Sequence, residues 1–482
     1  MKGTLSHGSA RLVERLVSFF LLPILTKIIT PAEYAIWSQT IIIAGILTQV
    51  ISLKFESSII KFYPTWNNQK KKKDSIMLFI LTSTLVLFFL VSIIALVFDE
   101  KISQLIFGDR QLTMYIPLII GLLFSELLFD HLWVMLRISN RVNKLSIYII
   151  IKAIWRLAII TLVLIGVNGN FYYAFWSFVL FQICIILCLF LWDIEVLSIL
   201  KAGFKKGRSS WAKILKFSLP LVAFIILLGI NNFADRIFIA NFLGLDSLAS
   251  YNAGFSLAQL ITFFYATISF MLYPELSKNI GKKTKISNLI KKVMTAYLAL
   301  TMPFLVFIGL AGTDILLVLT TNEYLISSQT LFLISLNIAI FGFFQINYFI
   351  VLLERGSINA PIIMLFVAGI NILSNFVLVP KIGILGAALS GFFSNSVLAI
   401  IVYKMSQNIL KNNFPFIVFF KILIRSLIMG VVIWLVMNWL GNDIISLVVI
   451  IIIAGLIYIL LDFFGSKNSS FISITKIDSF LK

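Results

Sequence analysis

The residues that could do chemistry here are ionisable groups set inside long apolar stretches. Glu126 and Asp130 stand four residues apart in one such stretch, and Lys152 and Arg156 stand four apart in the next. On a helix, that spacing puts each pair on one face. If the turn between the two helices centres near Asn140–Arg141, Asp130 lies level with Lys152 and Glu126 level with Arg156. At about 1.5 Å per residue, these levels fall roughly 10–18 Å inside an apolar layer. The expected arrangement is therefore an antiparallel ladder, Asp130–Lys152 and Glu126–Arg156. Such a ladder either neutralises itself and locks two helices together, or walls a water-filled cavity whose cations attract an anionic substrate.

A charge near the middle of a bilayer costs about 2.5–3.5 kcal/mol on insertion scales, so each one is a candidate functional residue. Arg11 and Arg15 share a face early in the chain. Lys54 stands beside Glu56, and Lys27 lies farther along the first apolar stretch. Asp235 and Arg236 are neighbours, pointing about 100° apart on a helix, and Asn231 shares a face with Asp235. Lys421 and Arg425 form another cationic pair, with no acid in the same segment. The substrate-cavity candidates are thus Arg11, Arg15, Lys54, Lys152, Arg156, Arg236, Lys421 and Arg425. Glu126, Asp130 and Asp235 are candidates for ion pairing or coupling. For residues near helix ends the simpler alternative is snorkelling to the interface. The buried amides Gln259, Asn337, Gln345, Asn347, Asn371, Asn375 and Asn395 read mainly as interhelical hydrogen bonds.

Other chemistry is missing from the pattern. No phosphate-binding G-x-x-x-x-G-K-[ST] occurs, and Gly281-Lys-Lys-Thr falls short of it. His7 and His131 are the two histidines, and no Cys/His/carboxylate group has metal-ligand spacing. His131 beside Asp130 could shuttle protons, against a plain helix-packing role. Cys184 and Cys188, inside an apolar segment, read as small core fillers. No Ser/His/Asp set is evident, and the loops that would face outward are short. Neither an enzyme, a metal nor a cofactor is expected.

These residues need elements to hold them. Of 482 residues, 60% are hydrophobic and 12% charged, against roughly 25% charged in a soluble domain. The apolar runs are long and solid rather than alternating, which selects helices over a membrane barrel. Windows of membrane-crossing length give about fourteen spans: 11–30, 35–60, 75–98, 113–137, 145–167, 172–192, 213–241, 247–273, 288–310, 326–352, 361–379, 384–406, 416–438 and 442–463. The fold class is an all-α polytopic membrane protein. The start of the chain reads as the approach to a retained first span rather than a cleaved signal.

The net charge of +19 then finds an explanation without nucleic acid. Loops after even-numbered spans carry Lys61 and Lys70–Lys73, Arg141 and Lys144, Lys201 to Arg208, Lys278 to Lys285, Arg355 and Lys411. Loops after odd-numbered spans hold Lys101, Arg110 and Lys381 amid acids such as Asp99, Glu100, Asp109 and Asp246. That asymmetry places both termini in the cytoplasm. Lys70–Lys73 reads first as an orienting charge run, with anionic lipid binding as the alternative.

An internal repeat is also visible. Pro31-Ala-Glu-Tyr-Ala-Ile-Trp37 aligns with Asp246-Ser-Leu-Ala-Ser-Tyr251 through Ala35/Ala249 and Trp37/Tyr251, and each following segment ends near Tyr-Pro (Tyr63-Pro64, Tyr273-Pro274). The expected organisation is a six-helix lobe over 1–200, a basic cytoplasmic linker over 201–212, a second six-helix lobe over 213–410, and a terminal helix pair with a tail over 411–482.

Three segments carry a resemblance. Leu21-Leu-Pro-Ile-Leu-Thr-Lys-Ile-Ile-Thr-Pro-Ala-Glu-Tyr-Ala is one, and Ser218-Leu-Pro-Leu221 opens the second half. The third is Asn232-Phe-Ala-Asp235-Arg236-Ile-Phe-Ile-Ala with Tyr251-Asn-Ala-Gly254. With the span count, these resemble the polysaccharide or O-antigen flippases of the multidrug/oligosaccharidyl-lipid/polysaccharide exporter superfamily. Ala35 and Ala249 depart from the glycine common there. The resemblance implies translocation of an undecaprenyl-diphosphate-linked oligosaccharide from the cytoplasmic to the periplasmic leaflet of the inner membrane, by alternating access between two lobes. It further implies Arg15 and Lys54 as substrate residues by position, membrane lipids as partners, and a polysaccharide polymerase and chain-length regulator as working associates in O-antigen or lipopolysaccharide synthesis. The competing readings are a small-molecule or cation antiporter of the same superfamily, and a membrane-embedded glycan polymerase or ligase.

Overall fold

The computed structural model describes residues 2–62, 70–139, 141–166, 170–193, 199, 211–279, 282–355, 360–410, 414–440 and 444–465. Among them there is no strand. The helices are α1 (Lys2–Ile28), α2 (Pro31–Ile51), α3 (Phe55–Phe62), α4 (Lys70–Val97), α5 (Asp99–Phe107), α6 (Ile116–Ile138), α7 (Val142–Gly166), α8 (Phe171–Trp192) and α9 (Trp211–Leu243). They continue as α10 (Leu245–Ala258), α11 (Thr262–Lys278), α12 (Lys283–Leu319), α13 (Ser328–Arg355), α14 (Ala360–Ile382), α15 (Ile384–Leu410), α16 (Phe416–Leu440) and α17 (Ile444–Gly465).

Twelve helices among the described residues are long and apolar enough to cross a membrane. The two other expected spans differ for physical reasons. In α1 the continuous apolar run is Leu16–Ile28, because Arg11, Glu14 and Arg15 charge the preceding turns. The expected span 247–273 is divided between α10 and α11 by a 3-10 turn over Gln259–Ile261.

The expected span 35–60 is likewise two helices. Thr30 caps α2: its hydroxyl accepts the Glu33 N–H at 3.4 Å, and Glu33 Oε2 accepts the Thr30 N–H at 2.9 Å, a reciprocal capping box with Pro31 in the first turn. The helix stops at Ser52. Leu53 and Lys54 both have positive φ, 47° and 48°, and the Phe55 N–H donates to the Ser52 carbonyl at 3.0 Å. A non-glycine residue held in left-handed backbone costs roughly 1–2 kcal/mol, so this break is held by packing on both sides. Beyond it, α3 is fastened to α9: Ser58 Oγ lies 2.6 Å from Ser218 Oγ, and Lys61 Nζ sits 3.9 Å from the Phe217 ring centroid.

The chain forms two compact units, Met1–Ala249 and Ser250–Lys482. In the first, α1 lies along α7, α6 and α7 both pack on α8, and α9 packs on α2, α3 and α5. In the second, α13 and α14 both pack on α15, so the fourth and fifth spans of each half cover the sixth. The repeat anchors are buried: Ala35, Trp37, Ala249 and Tyr251 are each 5% exposed or less. Tyr63-Pro64 and most of the basic linker 201–212 lie outside the described residues. The terminal helices α16 and α17 pack against α12 through Met429, Ile433, Ile450 and Tyr458, with Val306 and Leu310 opposite.

Outward faces are apolar. Phe89 and Ile93 on α4, Ile417 and Ile424 on α16, and Ile445 and Ile452 on α17 are all exposed, which suits hydrocarbon surroundings. Cys184 and Cys188 are exposed too. They are not core fillers, because α8 turns Phe178, Gln182 and Ile186 inward and leaves the cysteines on its opposite side, beside exposed Leu180 and Phe181. The amides do join helices: Asn395 donates to Asn337 Oδ1 at 2.7 Å and Asn371 to Ser394 Oγ at 3.2 Å. Asn347 instead bonds its own helix at the Phe343 carbonyl, and Gln259 is exposed.

One contact gives a direct stability test. Gly108 ends α5 in left-handed backbone, φ 74°, and a Cβ there would meet the Ala240 carbonyl oxygen of α9 at 2.2 Å. Gly108→Ala therefore combines backbone strain with a clash against main chain. A loss of about 1–3 kcal/mol is expected, read as a lower melting temperature of the detergent-purified protein.

Candidate functional site

One cluster of partly buried charges in the first unit joins α6 and α7, with polar partners from α8 and α1. Lys152 on α7 places its ammonium 2.6 and 2.7 Å from the two carboxylate oxygens of Glu126 on α6, and 4.4 Å from the Phe129 ring centroid. Gln182 on α8 donates to Glu126 Oε1 and to Ser125 Oγ, both at 2.9 Å. The carboxylate thus takes donors from two neighbouring helices. The Lys152 side chain is 11% exposed, whereas Glu126 keeps 31% of its surface, so the pair is accessible from the carboxylate side.

Arg156 lies one turn beyond Lys152, about 21 Å along a helix of about 37 Å. It donates through Nη2 to Ser18 Oγ of α1, and the Ser18 hydroxyl donates to the Glu14 carbonyl at 2.9 Å. Its Nε is buried with no hydrogen-bond partner. Among the described residues no carboxylate forms a direct ion pair with it. A guanidinium cannot shed its proton to escape this setting, and the carboxylates of Glu14 on α1 and Glu126 on α6 act on it electrostatically without a direct ion pair.

The ladder register differs from the expected one. Lys152 meets Glu126, not Asp130, and Arg156 reaches α1. The observed pairing is symmetric about residue 139, where Ser139 follows the end of α6, rather than about Asn140–Arg141. Shifting the centre by two residues slides each pair by one helical turn. Asp130 is engaged in a further interaction. His131 is a packing residue: its Nδ1–H donates to the Leu127 carbonyl at 2.7 Å, and Nε2 lies 3.0 Å from Thr84 Oγ1.

The remaining candidates stand apart from this cluster. The side chains of Arg11 and Arg15 lie outside the described residues. Lys54 sits in the left-handed break of the second span, partly buried, and nearby Glu56 pairs with Arg137 at 3.1 Å. Arg236, 3% exposed, donates to the Asn232 carbonyl of its own helix at 2.8 Å, and Asp235 beside it is equally buried. In the second unit Lys421 is exposed. Arg425 is held by Asp462 of α17 at 2.5 Å, with the acid's side chain 1% exposed. Sequence reasoning missed Asp462, although a lone acid near the end of a long apolar run was the signal. It also missed Gln182 and Ser18, whose roles depend on which helices are neighbours.

A family profile described as polysaccharide biosynthesis protein matches residues 1–280. The chain belongs to that family. The matched range includes the α1–α2 opening, the α9–α10 segment and the charged cluster. An uncharacterized membrane protein of Methanocaldococcus jannaschii is 26% identical over 189 residues, 38% of this chain and 37% of that protein; the chain thus spans about a third of this relative's length. Among solved structures, lipid II flippase MurJ in an inward closed conformation matches with a TM-score of 0.75 at 17% identity, over 99% of each chain. An inward-facing multidrug resistance MATE family transporter of the MOP superfamily matches with a TM-score of 0.64 at 13% identity, over 85% of this chain and 98% of that one. A MOP superfamily transporter from Pyrococcus furiosus gives a TM-score of 0.58 at 11% identity, over 85% and 96%. This chain of the polysaccharide biosynthesis family is a multi-pass membrane protein with the fold of these transporters.

Proposed function

We propose that this protein is a flippase that moves a polyprenyl-diphosphate-linked oligosaccharide across the inner membrane by alternating access, from the cytoplasmic to the periplasmic leaflet. The observation that carries the reading is Arg156: a permanent cation near mid-helix with a buried, unsatisfied Nε, a hydrogen bond to the Ser18 hydroxyl, and no direct ion pair among the described residues. Such a group is costly in a purely structural role and suits a diphosphate, which a guanidinium grips with two parallel bonds. Family membership and the flippase-like fold support the same reading. Lys152, with its charge bound by Glu126, would hold the site's geometry. Arg11, Arg15, Lys54, Arg236, Lys421 and Arg425 remain candidate contacts elsewhere on the path, and Asp130 and Asp235 candidate coupling groups. The basic even-numbered loops support cytoplasmic termini. The protein would act as a transporter rather than an enzyme. A polymerase and chain-length regulator would use the exported units in O-antigen or lipopolysaccharide synthesis.

The test is a deletion strain lacking other flippases of this type, assayed for lipid-linked units on each face of the membrane. Units are expected to accumulate inside and to be exported again when the gene is restored. Arg156→Ala should reach normal membrane levels but restore less than a tenth of export, and Arg156→Lys should restore part of it, since a lysine keeps the charge without the fork. Normal periplasmic delivery in the deletion strain, or with Arg156→Ala, removes the assignment.

A further inference from the structure

The first unit has a concave feature separate from the charged cluster. Where α4 runs into α5, a cavity of about 310 Å³ lies among α2, α4, α5, α6 and α9. Its walls include Ile43, Ile94, Ala95, Leu105, Ile120 and Ile237, and its one polar lining residue is Ser92. The Ser92 hydroxyl is buried without a hydrogen-bond partner. A stable internal water needs two to four polar partners, and one serine cannot supply them. The space is therefore suited to an apolar guest, as dry apolar cavities in proteins are. Its volume equals roughly ten water-sized groups, the scale of one segment of hydrocarbon chain.

The mouth shows where the guest comes from. Ile94 and Leu105 line the cavity yet are 54% and 55% exposed, so it opens sideways to the surface. There it joins the apolar strip of Leu90, Ile93 and Val97 on α4, all about half exposed or more. That strip belongs to a membrane-crossing helix, so bilayer chains cover it. No lysine, arginine or histidine lines the cavity, so nothing in it would grip a diphosphate. Neither α1, α7 nor α8, which carry Ser18, Lys152 with Arg156, and Gln182 respectively, contributes to its walls.

We infer that this cavity is a site for a single acyl chain of a bilayer phospholipid, inserted sideways between α4 and α5. It goes beyond the flippase reading and does not depend on it. A seated chain fills the gap beneath the short helix α5 and ties its position to the bilayer.

The test uses the purified full chain in phosphatidylcholine vesicles containing a small fraction of phosphatidylcholine with a diazirine in one acyl chain. After irradiation, labelled peptides are mapped by mass spectrometry. Labelling over 92–106 and 116–123 is expected to exceed, several-fold, that of the equally exposed α16 face at Ile417, Ile424 and Ile428. It should fall to the α16 level in Ala95→Trp and in Ile120→Trp, two independent ways of filling the space, each first checked for an unchanged melting temperature. Labelling no higher than on α16, or unaffected by either substitution, overturns the site. Loss of the excess label on adding undecaprenyl phosphate, but not on adding the same amount of unlabelled phospholipid, overturns the phospholipid assignment in favour of a polyprenyl chain.

Discussion

Asp462→Ala is expected to cost about 3–5 kcal/mol, the range for removing one partner of a buried ion pair. Arg425 donates to Asp462 at 2.5 Å across α16 and α17, and the acid has almost no exposed surface. The Tyr458 hydroxyl nearby is buried without a hydrogen-bond partner, so it bonds neither member of the pair. The two halves of the pair are not equivalent. Without Asp462, the Arg425 guanidinium stays charged in an apolar layer because it cannot deprotonate. Without Arg425, the Asp462 carboxyl can take up a proton and become neutral. Arg425→Ala should therefore be milder than Asp462→Ala. The double substitution Arg425→Leu/Asp462→Leu should recover to within about 1–2 kcal/mol of the unaltered protein, because two apolar groups of similar bulk replace a desolvated pair. Thermal melting in detergent, together with membrane levels, measures all three. An Asp462→Ala protein that melts like the unaltered one would show that the pair contributes nothing to the terminal helices.

The helices themselves were legible because a bilayer leaves so little choice. Long apolar runs must close their own backbone hydrogen bonds, and caps such as Thr30 with Glu33 mark where they begin. The break after Ser52 was not legible, since Leu53 and Lys54 carry none of the glycine or asparagine that announces left-handed backbone. It is held there by tertiary contacts of α3, among them Ser58 with Ser218 of α9 and Glu56 with Arg137 of α6. In the charged hairpin, i, i+4 spacing named the right residues but not their partners. A turn whose centre moves by two residues changes every rung, and no local signal fixes that centre. Arg425 illustrates the wider limit. Its partner lies on a different helix, 37 residues away, and only tertiary packing reveals that the charge is answered. Arg156 was legible as a buried cation, but the contact with Ser18 needed the neighbour relation of α1 and α7.

Glu126→Ala is the companion prediction in the first unit, with an expected loss of about 3–5 kcal/mol and membrane levels far below normal. Glu126 accepts both close contacts of Lys152 and one from Gln182. Removing it leaves an ammonium and, one turn on, a guanidinium facing each other's repulsion in a region of low dielectric. Glu126→Gln preserves the shape but not the charge, so it should fall between the two. The informative variant is Glu126→Gln/Lys152→Gln, which deletes one charge of each sign and keeps amides able to bond one another and Gln182. Its membrane level and melting temperature should return close to normal. Export then separates the roles of the two cations. If Lys152 serves only to position the carboxylate and its helix, the double variant exports at a rate within a few-fold of normal, because Arg156 is untouched. If Lys152 itself binds the diphosphate, export stays as low as with Arg156→Ala although the protein is fully folded. The first outcome is expected: an ammonium already within 2.7 Å of both oxygens of a carboxylate has its charge answered at contact, whereas Arg156 hydrogen-bonds a serine hydroxyl and feels Glu14 and Glu126 without a direct ion pair.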